Sequence, residues 1–441
     1  MQTYFQKIAS FVLLLLLPQL VFASPEIPGD NPPGPVALVG ATVYPVDGDK
    51  IENATVVWND GKIIAVGSDV EIPDNAKKID VSDKRVYPGL LSANSSLGLT
   101  EINAVRATLD IVETGRINPN ARAQVAINPD SELIPVARSN GVLLSLSMPL
   151  GGLISGTSAI IQHDGWSWEE MTLKAPVAMH VQWPNMAPVL HWHTEKTAKE
   201  QLKERDKALQ QLQQTFDNAR AYAKARNTPP EPQPIDLRWE AMLPVLNREL
   251  PLIVRANRAD QIRAAVAFAS RENIRLIISE GFDAELCAPL LKKHKVPVIL
   301  GGTLRLPLNR DDGYDAAYTL PERLRSAGVK FCIGMGGRFS DSNLRNLPYN
   351  AAMAVGFGLP QDEALRAITL YPAEILGVSD RVGSLTVGKD ATLFVTNGDI
   401  LETPTQVEQA FIQGRPVDLS NRHKRLRNKY QEKYRRLDEG H

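Results

Sequence analysis

Two groups of short β-branched runs stand at opposite ends of this chain, and a long stretch of alternating strand and helix patterns lies between them. That arrangement limits the fold more than any figure of composition. The first group holds "ALVGATVYPV", "ATVVWND", "KIIAVGS" and "KKIDVS", broken by Gly, Asp and Asn turns. "NDGK" (Asn59 to Lys62) is a hairpin signal, because an Asp-Gly pair accepts the left-handed backbone of a tight turn. The second group holds "VGSLTVGKDATLFVTNG" (Val382 to Gly398) and "QVEQAFIQGRPV". Two strand-rich ends with no helix pattern of their own predict one small sheet domain assembled from both.

The middle reads differently. "GVLLSLSMP", "APVAMHVQW", "LPLIVRANR", "IRLIISEG", "VPVILGG" and "VKFCIGMGG" are apolar strand-like runs. Helical patterns separate the last four. "ADQIRAAVAFASREN" carries Ile262, Ala265, Val266 and Ala269 on one face, and "DAELCAPLLKKH" follows the next strand. Buried strands alternating with amphipathic helices argue for parallel βα units, and residues 86–375 hold enough of them for a closed barrel. The fold class is therefore α/β: a (β/α)8 TIM-like barrel plus a small composite β-sandwich domain from the N- and C-terminal strands.

Two segments interrupt the rhythm. "EKTAKEQLKERDKALQQLQQTFDNARAYAKARN" predicts a long charged helix, with Leu202, Leu209, Leu212, Phe216 and Ala219 as a docking stripe, closed by the stiff linker "TPPEPQP". At the other end "NRHKRLRNKYQEKYRRLDEG" predicts a basic helix whose Leu426, Tyr430, Tyr434 and Leu437 align. That stripe is expected to pin the helix to the body. Binding to an anionic membrane surface is the weaker alternative.

The chain opens like an export signal. Lys7 stands in a short n-region, an apolar run covers Phe11 to Leu17 ahead of Pro18, and Val21-Phe22-Ala23 fits the small-residue cleavage rule. The run is too short to span a bilayer. A mature chain starting near Ser24 is expected, exported to the periplasm or the extracellular space. The organisation read from these patterns is residues 1–23 as signal peptide, 24–35 as a flexible Pro/Gly-rich leader, and 36–86 as the first part of the sandwich. Residues 87–378 follow as the barrel with its 194–235 insertion, then 379–418 as the second sandwich part and 419–441 as the basic helix. With a net charge of −1 over 441 residues, nothing suggests a nucleic-acid footprint. Cys287 and Cys332 have no zinc-type spacing and read as small buried hydrophobes.

Several of these segments carry a family likeness. "DGKIIAVG" (Asp60 to Gly67), "VYPGLL" from Val86, "ARSNGVLLSLSMPLGGLISG" (Ala137 to Gly156) and "LRAITLYPAEILGVSDRVGSLTVGKDATLFV" (Leu365 to Val395) follow one another in the order seen in the metal-dependent amidohydrolase superfamily. The chain resembles its imidazolonepropionase and prolidase-like secreted branch over most of its length. The resemblance implies a barrel with a composite sandwich. It also implies a divalent metal at the C-terminal mouth, where the metal lowers the pKa of a bound water for attack on an amide-like carbon.

Carried over residue by residue, the ligand set is missing. The strand-one pair of histidines falls on Asn94 and Ser96, and the acid before them on Ser92. The strand-five segment falls on Arg255-Ala256-Asn257, the strand-six His on Glu280, and the strand-eight Asp on Gly336. Glu280 alone could ligate, and no metal or other cofactor is expected. Arg255 stays protonated and would repel a cation. An Arg255–Glu280 ion pair filling the former metal position is expected if strands five and six are neighbours.

Other chemistry reads weakly. "VLHWHTEK" offers His191 and His193, but they read as flanking a helix start capped by Thr194. Ser95, Ser96 or Cys332 would each need a base, and no Ser–His or Cys–His pairing or G-x-S-x-G elbow is visible. "MPLGGLISG" lacks a phosphate-loop lysine and reads as a β-hairpin near the mouth. The resulting expectation is a non-catalytic homologue, partner to an active amidohydrolase paralogue or to a second copy of itself. A hydrolase of C–N, non-peptide bonds working through altered or no metal ligands, and a small-ligand binding protein, stand as alternatives.

Overall fold

The computed structural model describes residues 26–189, 194–226, 234–337 and 339–439. Among them the strands run in chain order as β1 (Val36–Val43), β2 (Ile51–Asn59), β3 (Lys62–Gly67), β4 (Lys77–Asp80), β5 (Arg85–Pro88) and β6 (Leu90–Ser95). Then come β7 (Val142–Ser147), β8 (Ile154–Thr157), β9 (Ala159–Gln162), β10 (Thr172–Lys174), β11 (Met179–Gln182) and β12 (Leu252–Ala256). The last six are β13 (Leu276–Glu280), β14 (Val298–Leu300), β15 (Phe331–Ile333), β16 (Leu393–Thr396), β17 (Val407–Ile412) and β18 (Arg415–Pro416).

The two ends of the chain do build one sheet, in the order β18-β17-β16-β5-β1-β2-β3 with β4 on β1. The join is the antiparallel pairing of β16 with β5, which sets Phe394 against Tyr87. Asp60 and Gly61 turn β2 into β3 at φ 48° and 76°, the left-handed backbone that "NDGK" promised. The leader is not loose where it is described. Glu26 reaches the buried Arg138 at 2.7 Å, and the Gly29 N–H donates to Asp164 Oδ2 at 3.2 Å.

The middle of the chain forms two further sheets, β10-β9-β7-β6 and β15-β14-β13-β12-β11-β8. β11 to β15 are parallel neighbours in register, and β6 and β7 are parallel with register shifts after Leu90 and Ser92. β9 on β7 and β8 on β11 run antiparallel, which corrects the expectation of parallel units throughout. Residues 154–162 therefore supply two buried strands separated only by Ser158, rather than the hairpin read into "MPLGGLISG". One buried cluster takes Leu91, Leu144, Leu146, Ile160, Ile253, Ile277, Ile299 and Cys332 from strands of both sheets. The alternate positions, such as Leu143, Val254 and Ile278, pack outward with helical residues. Strand alternation thus serves two cores at once.

Helices cover the outer core. Ala259–Glu272 buries Ile262, Ala265, Val266 and Ala269, as its spacing predicts. The long helix Ala198–Arg226 buries Leu212, Phe216 and Ala219, with Phe216 edge-on to Phe268 at 5.2 Å. Each of the larger of these, Ile262, Val266, Leu212 and Phe216, contributes about 1.5–3 kcal/mol by leaving water. The C-terminal helix Arg422–Asp438 behaves otherwise, since it buries no residue. Its Leu426, Tyr430, Tyr434 and Leu437 are 42–61% exposed, so the stripe does not pin it. Among the described residues the first turn alone is tied to the body, by Arg425 to Glu132 at 2.9 Å and by Arg345 Nη1 to His423 Nδ1 at 3.0 Å. Among the described residues no helix is long and apolar enough to cross a membrane.

Candidate functional site

The C-terminal ends of β12 and β13 lie level, because Arg255 pairs with Ser279 and Ala256 with Glu280 across the parallel ladder. Arg255 Nη2 stands 2.6 Å from Glu280 Oε1, and Asn257 Nδ2 donates to Glu280 Oε2 at 2.7 Å. Both carboxylate oxygens are thus taken. Glu280 is 8% exposed and Arg255 41%, so the pair is buried on the acid's side and open on the base's. Glu280 holds φ 72°, a left-handed backbone that costs a non-glycine residue about 1–3 kcal/mol. The surroundings enforce it: the Gly281 N–H bonds Ala256 O and the Asp283 N–H bonds Asn257 O. Buried Gln261, in the first turn of Ala259–Glu272, accepts the N–H groups of Asn257 and Arg258 at 3.1 Å each. Its amide donates back to Trp183 O and Pro184 O.

The ends of β14 and β15 carry glycines where β12 and β13 carry charge. Gly301-Gly302 packs against Gly334-Met335-Gly336, and an added Cβ on Gly336 would collide with the Gly301 carbonyl. No side chain fits at the position that would match the family's acid. Buried Asn350 organises this half. Its Oδ1 accepts the N–H of Thr303 at 2.8 Å and of Leu304 at 3.1 Å, and its Nδ2 donates to Asn346 O at 3.0 Å.

At the end of β6, Asn94 and Ser96 are both buried. A Cβ built on Gly334 would lie 3.0 Å from Asn94 Cβ, so β6 and β15 approach closely there. The Ser96 N–H donates to Asp341 Oδ1 at 2.7 Å. Burial pushes the Asp341 carboxyl up to about 6 despite that bond. Ser92 is buried and its Oγ has no partner. Of the serines weighed as nucleophiles, Ser95 donates to Leu146 O at 3.0 Å. Cys332 is sealed inside the inner core, where burial pushes its thiol up, away from the thiolate.

A cavity of about 560 Å³ adjoins the glycine half. Phe282, Leu304, Arg305, Met335, Phe339 and Asn343 are among its walls. The Arg305 guanidinium lies 3.7 Å from the Phe282 ring centroid, a cation–π contact that fixes the wall's charge.

The structure therefore brings Arg255, Asn257 and Glu280 together, sets Ser96 against a different acid, and closes Gly336 behind backbone. These residues do not suit a divalent cation. One carboxylate, already bonded twice and facing a guanidinium, stands with amides, a serine and a glycine. Among the described residues no group of three or more His, Cys, Asp or Glu is placed to hold a metal ion. His191 and His193 lie outside the described residues.

Sequence reasoning missed three features. Asp341 sits five positions beyond Gly336 in "GGRFSDSN", where an acid after a glycine turn was the available signal. Arg305 and Phe282 lie in loops without a motif. A Ser–His pair also exists: Ser145 Oγ is 2.9 Å from His163 Nε2, and His163 Nδ1 is 2.7 Å from Val142 O. The carbonyl requires the proton on Nδ1, so Nε2 accepts from the serine. Both residues are fully buried, and burial pushes His163 down to about 3. With no access for a substrate, this pair fastens β7 to the chain after β9.

Comparison with known proteins bears on the same strands. Residues 255–417 match the model of the Amidohydrolase family. Amidohydrolase tasK of Hapsidospora irregularis is 23% identical over 446 residues, covering 92% of this chain but 44% of that protein. The chain thus spans less than half the length of that relative. An amidohydrolase from Thermotoga maritima superposes with a TM-score of 0.78 at 26% identity, over 87% of this chain and 99% of that one. An adenosine deaminase from Xanthomonas campestris with bound zinc has a TM-score of 0.51 at 17% identity, over 93% and 99%, a likeness of fold alone.

Proposed function

Because this chain belongs to the amidohydrolase superfamily, we propose that it is an exported member whose metal centre has degenerated, a non-catalytic homologue that serves as partner subunit to an active amidohydrolase. The observation that carries this reading is the Arg255–Glu280–Asn257 cluster, in which both oxygens of Glu280, the one carboxylate among the expected ligand positions, are bonded by side chains of the mouth. A fixed positive charge at 2.6 Å competes directly with any cation for that carboxylate. The glycine packing at Gly336 supports the same reading from the opposite side, since it leaves no room for a ligand there.

The mouth takes its meaning from the fold, which we read as a closed eight-stave barrel. Its staves are β6, β7, the β9–Ser158–β8 segment, and β11 to β15. The inner cluster shared by both sheets supports closure. So does the segment 367–368, whose carbonyls accept the Ile333 N–H and the Leu91 N–H at 2.9 Å each and span the seam between β15 and β6.

A second reading has its own observation. Among the described residues Arg255 Nε and Asn257 Oδ1 are buried without partners, and the cavity walled by Phe282 and Arg305 reaches Gly301, which packs against Glu280. A small polar ligand offering both an acceptor and a donor would satisfy them, which favours a binding role for the mouth.

The test is the metal content of the full chain, purified without chelator or histidine tag. Zinc, iron, manganese and nickel should together stay below about a tenth of an atom per chain. A full equivalent of metal that disappears on Glu280→Ala would overturn the degenerate centre.

A further inference from the structure

We infer that the C-terminal helix Arg422–Asp438 is an interfacial anchor that lays its Leu/Tyr stripe onto an anionic lipid surface. On a helix advancing about 100° per residue, Leu426, Tyr430, Tyr434 and Leu437 fall within an arc of about 80°. Among the described residues nothing buries any of the four, and each is 42–61% exposed. The helix is nonetheless held in place. Asn421 caps it through the Lys424 N–H at 3.0 Å, and Arg425 and His423 fasten the first turn to Glu132 and Arg345. A fastened root with a free stripe is the geometry of a device that presents a face.

Charge chooses the occupant. The helix carries eight Arg and Lys against Glu432 and Asp438. Arg422, Lys429, Lys433 and Arg436 border the stripe on one side, and Arg427 on the other. Glu432 lies well away from it around the helix and is taken by Arg435 and Arg436 at 2.8 Å each, while Asp438 follows Arg427 on the far border, at the last turn. A second copy of this helix would bring the same charge against itself, so self-pairing is opposed. Lipid headgroups of negative sign meet the basic borders, while Tyr and Leu enter the boundary below them, where amphipathic Tyr rings favour residence. The chemistry is that of a narrow interfacial helix, which gives reversible attachment.

The experiment is co-sedimentation of the full chain with vesicles of phosphatidylcholine, with or without about a third phosphatidylglycerol. Binding to the anionic vesicles should exceed binding to the neutral ones by about tenfold and should weaken as salt rises. Tyr430→Ser/Tyr434→Ser should lower it several-fold, and the same pair with Leu426→Ser and Leu437→Ser by about tenfold, with an unchanged melting temperature, because these side chains bury nothing. Equal binding to both vesicles would overturn the inference. So would binding that ignores the stripe substitutions, which would mean surface charge alone. Retention on polyglutamate with none on anionic vesicles would also overturn it, and would redirect the helix to an acidic protein.

Discussion

The two halves of the mouth are held by the same device and finished in opposite ways. In each, a buried amide side chain accepts two backbone N–H groups of the loop that follows a strand. Gln261 does so below Asn257, and Asn350 below Gly302. Above Gln261 the chain places an arginine, an asparagine and a glutamate in mutual contact. Above Asn350 it places glycines whose backbones touch. One half meets the demand of a polar strand end with compensating charge; the other meets it by leaving no side chain to satisfy. On the proposed reading, the two halves would exclude a cation in different ways, by electrostatics on one side and by volume on the other. The two mechanisms are separable by mutation.

The largest effect is expected on the glycine side. Gly336→Ala drives a methyl into the Gly301 carbonyl, and neither backbone can yield without disturbing Asn350 and its bonds. We expect a loss of about 3 kcal/mol or more, read by urea unfolding with an unchanged m-value. Alanine tolerated without cost would show that this half is loosely packed and would dissolve the contrast.

On the charged side the expected loss is smaller and can be rescued. Arg255→Met leaves the nearly buried Glu280 with Asn257 alone, and should cost on the order of 2 kcal/mol, discounted because the guanidinium is partly in water. Adding Glu280→Gln to the same chain removes the lone charge and should recover most of that loss. A double variant no more stable than the single one would mean that the pair does not act as a charge pair.

How much of this was legible beforehand follows from the range of each interaction. Period-two apolar runs revealed β12 to β15, and in-register neighbours put Arg255 and Glu280 at one level, so their contact could be anticipated. The two-ended sheet was legible because strand patterns at both termini had no other partner. β8 and β9 were not legible. "ISGTSAIIQ" carries Gly, Ser and Thr, and those residues are tolerated in buried strands only because Thr157 and Ser158 bond Ala121 O and Ala178 O. Asp341 was missed because its role depends on meeting Ser96, 245 positions away. The terminal helix shows the remaining gap: an amphipathic pattern tells which face is apolar, and says nothing about whether anything covers it.

Asp341 gives the most discriminating test, because it joins the end of β6 to the chain beyond the glycine half. Burial lifts its carboxyl from the usual 3.8 to about 6, so the folded chain holds this proton over a pH range in which the unfolded chain has released it. Below pH 3.8 both states are protonated and the group is neutral to stability. Between 3.8 and about 6 a penalty accumulates, and above 6 it is complete, at up to about 3 kcal/mol. Asp341→Asn keeps an acceptor for the Ser96 N–H and cannot ionise. The variant should therefore gain stability over the parent at pH 8 and lose that advantage toward pH 4. Parallel stability curves across this range would place the carboxylate in contact with solvent or with a cation. The second outcome would return Asp341, rather than Gly336, to the role of a metal-binding acid, and the contrast between the two halves of the mouth would have to be redrawn around it.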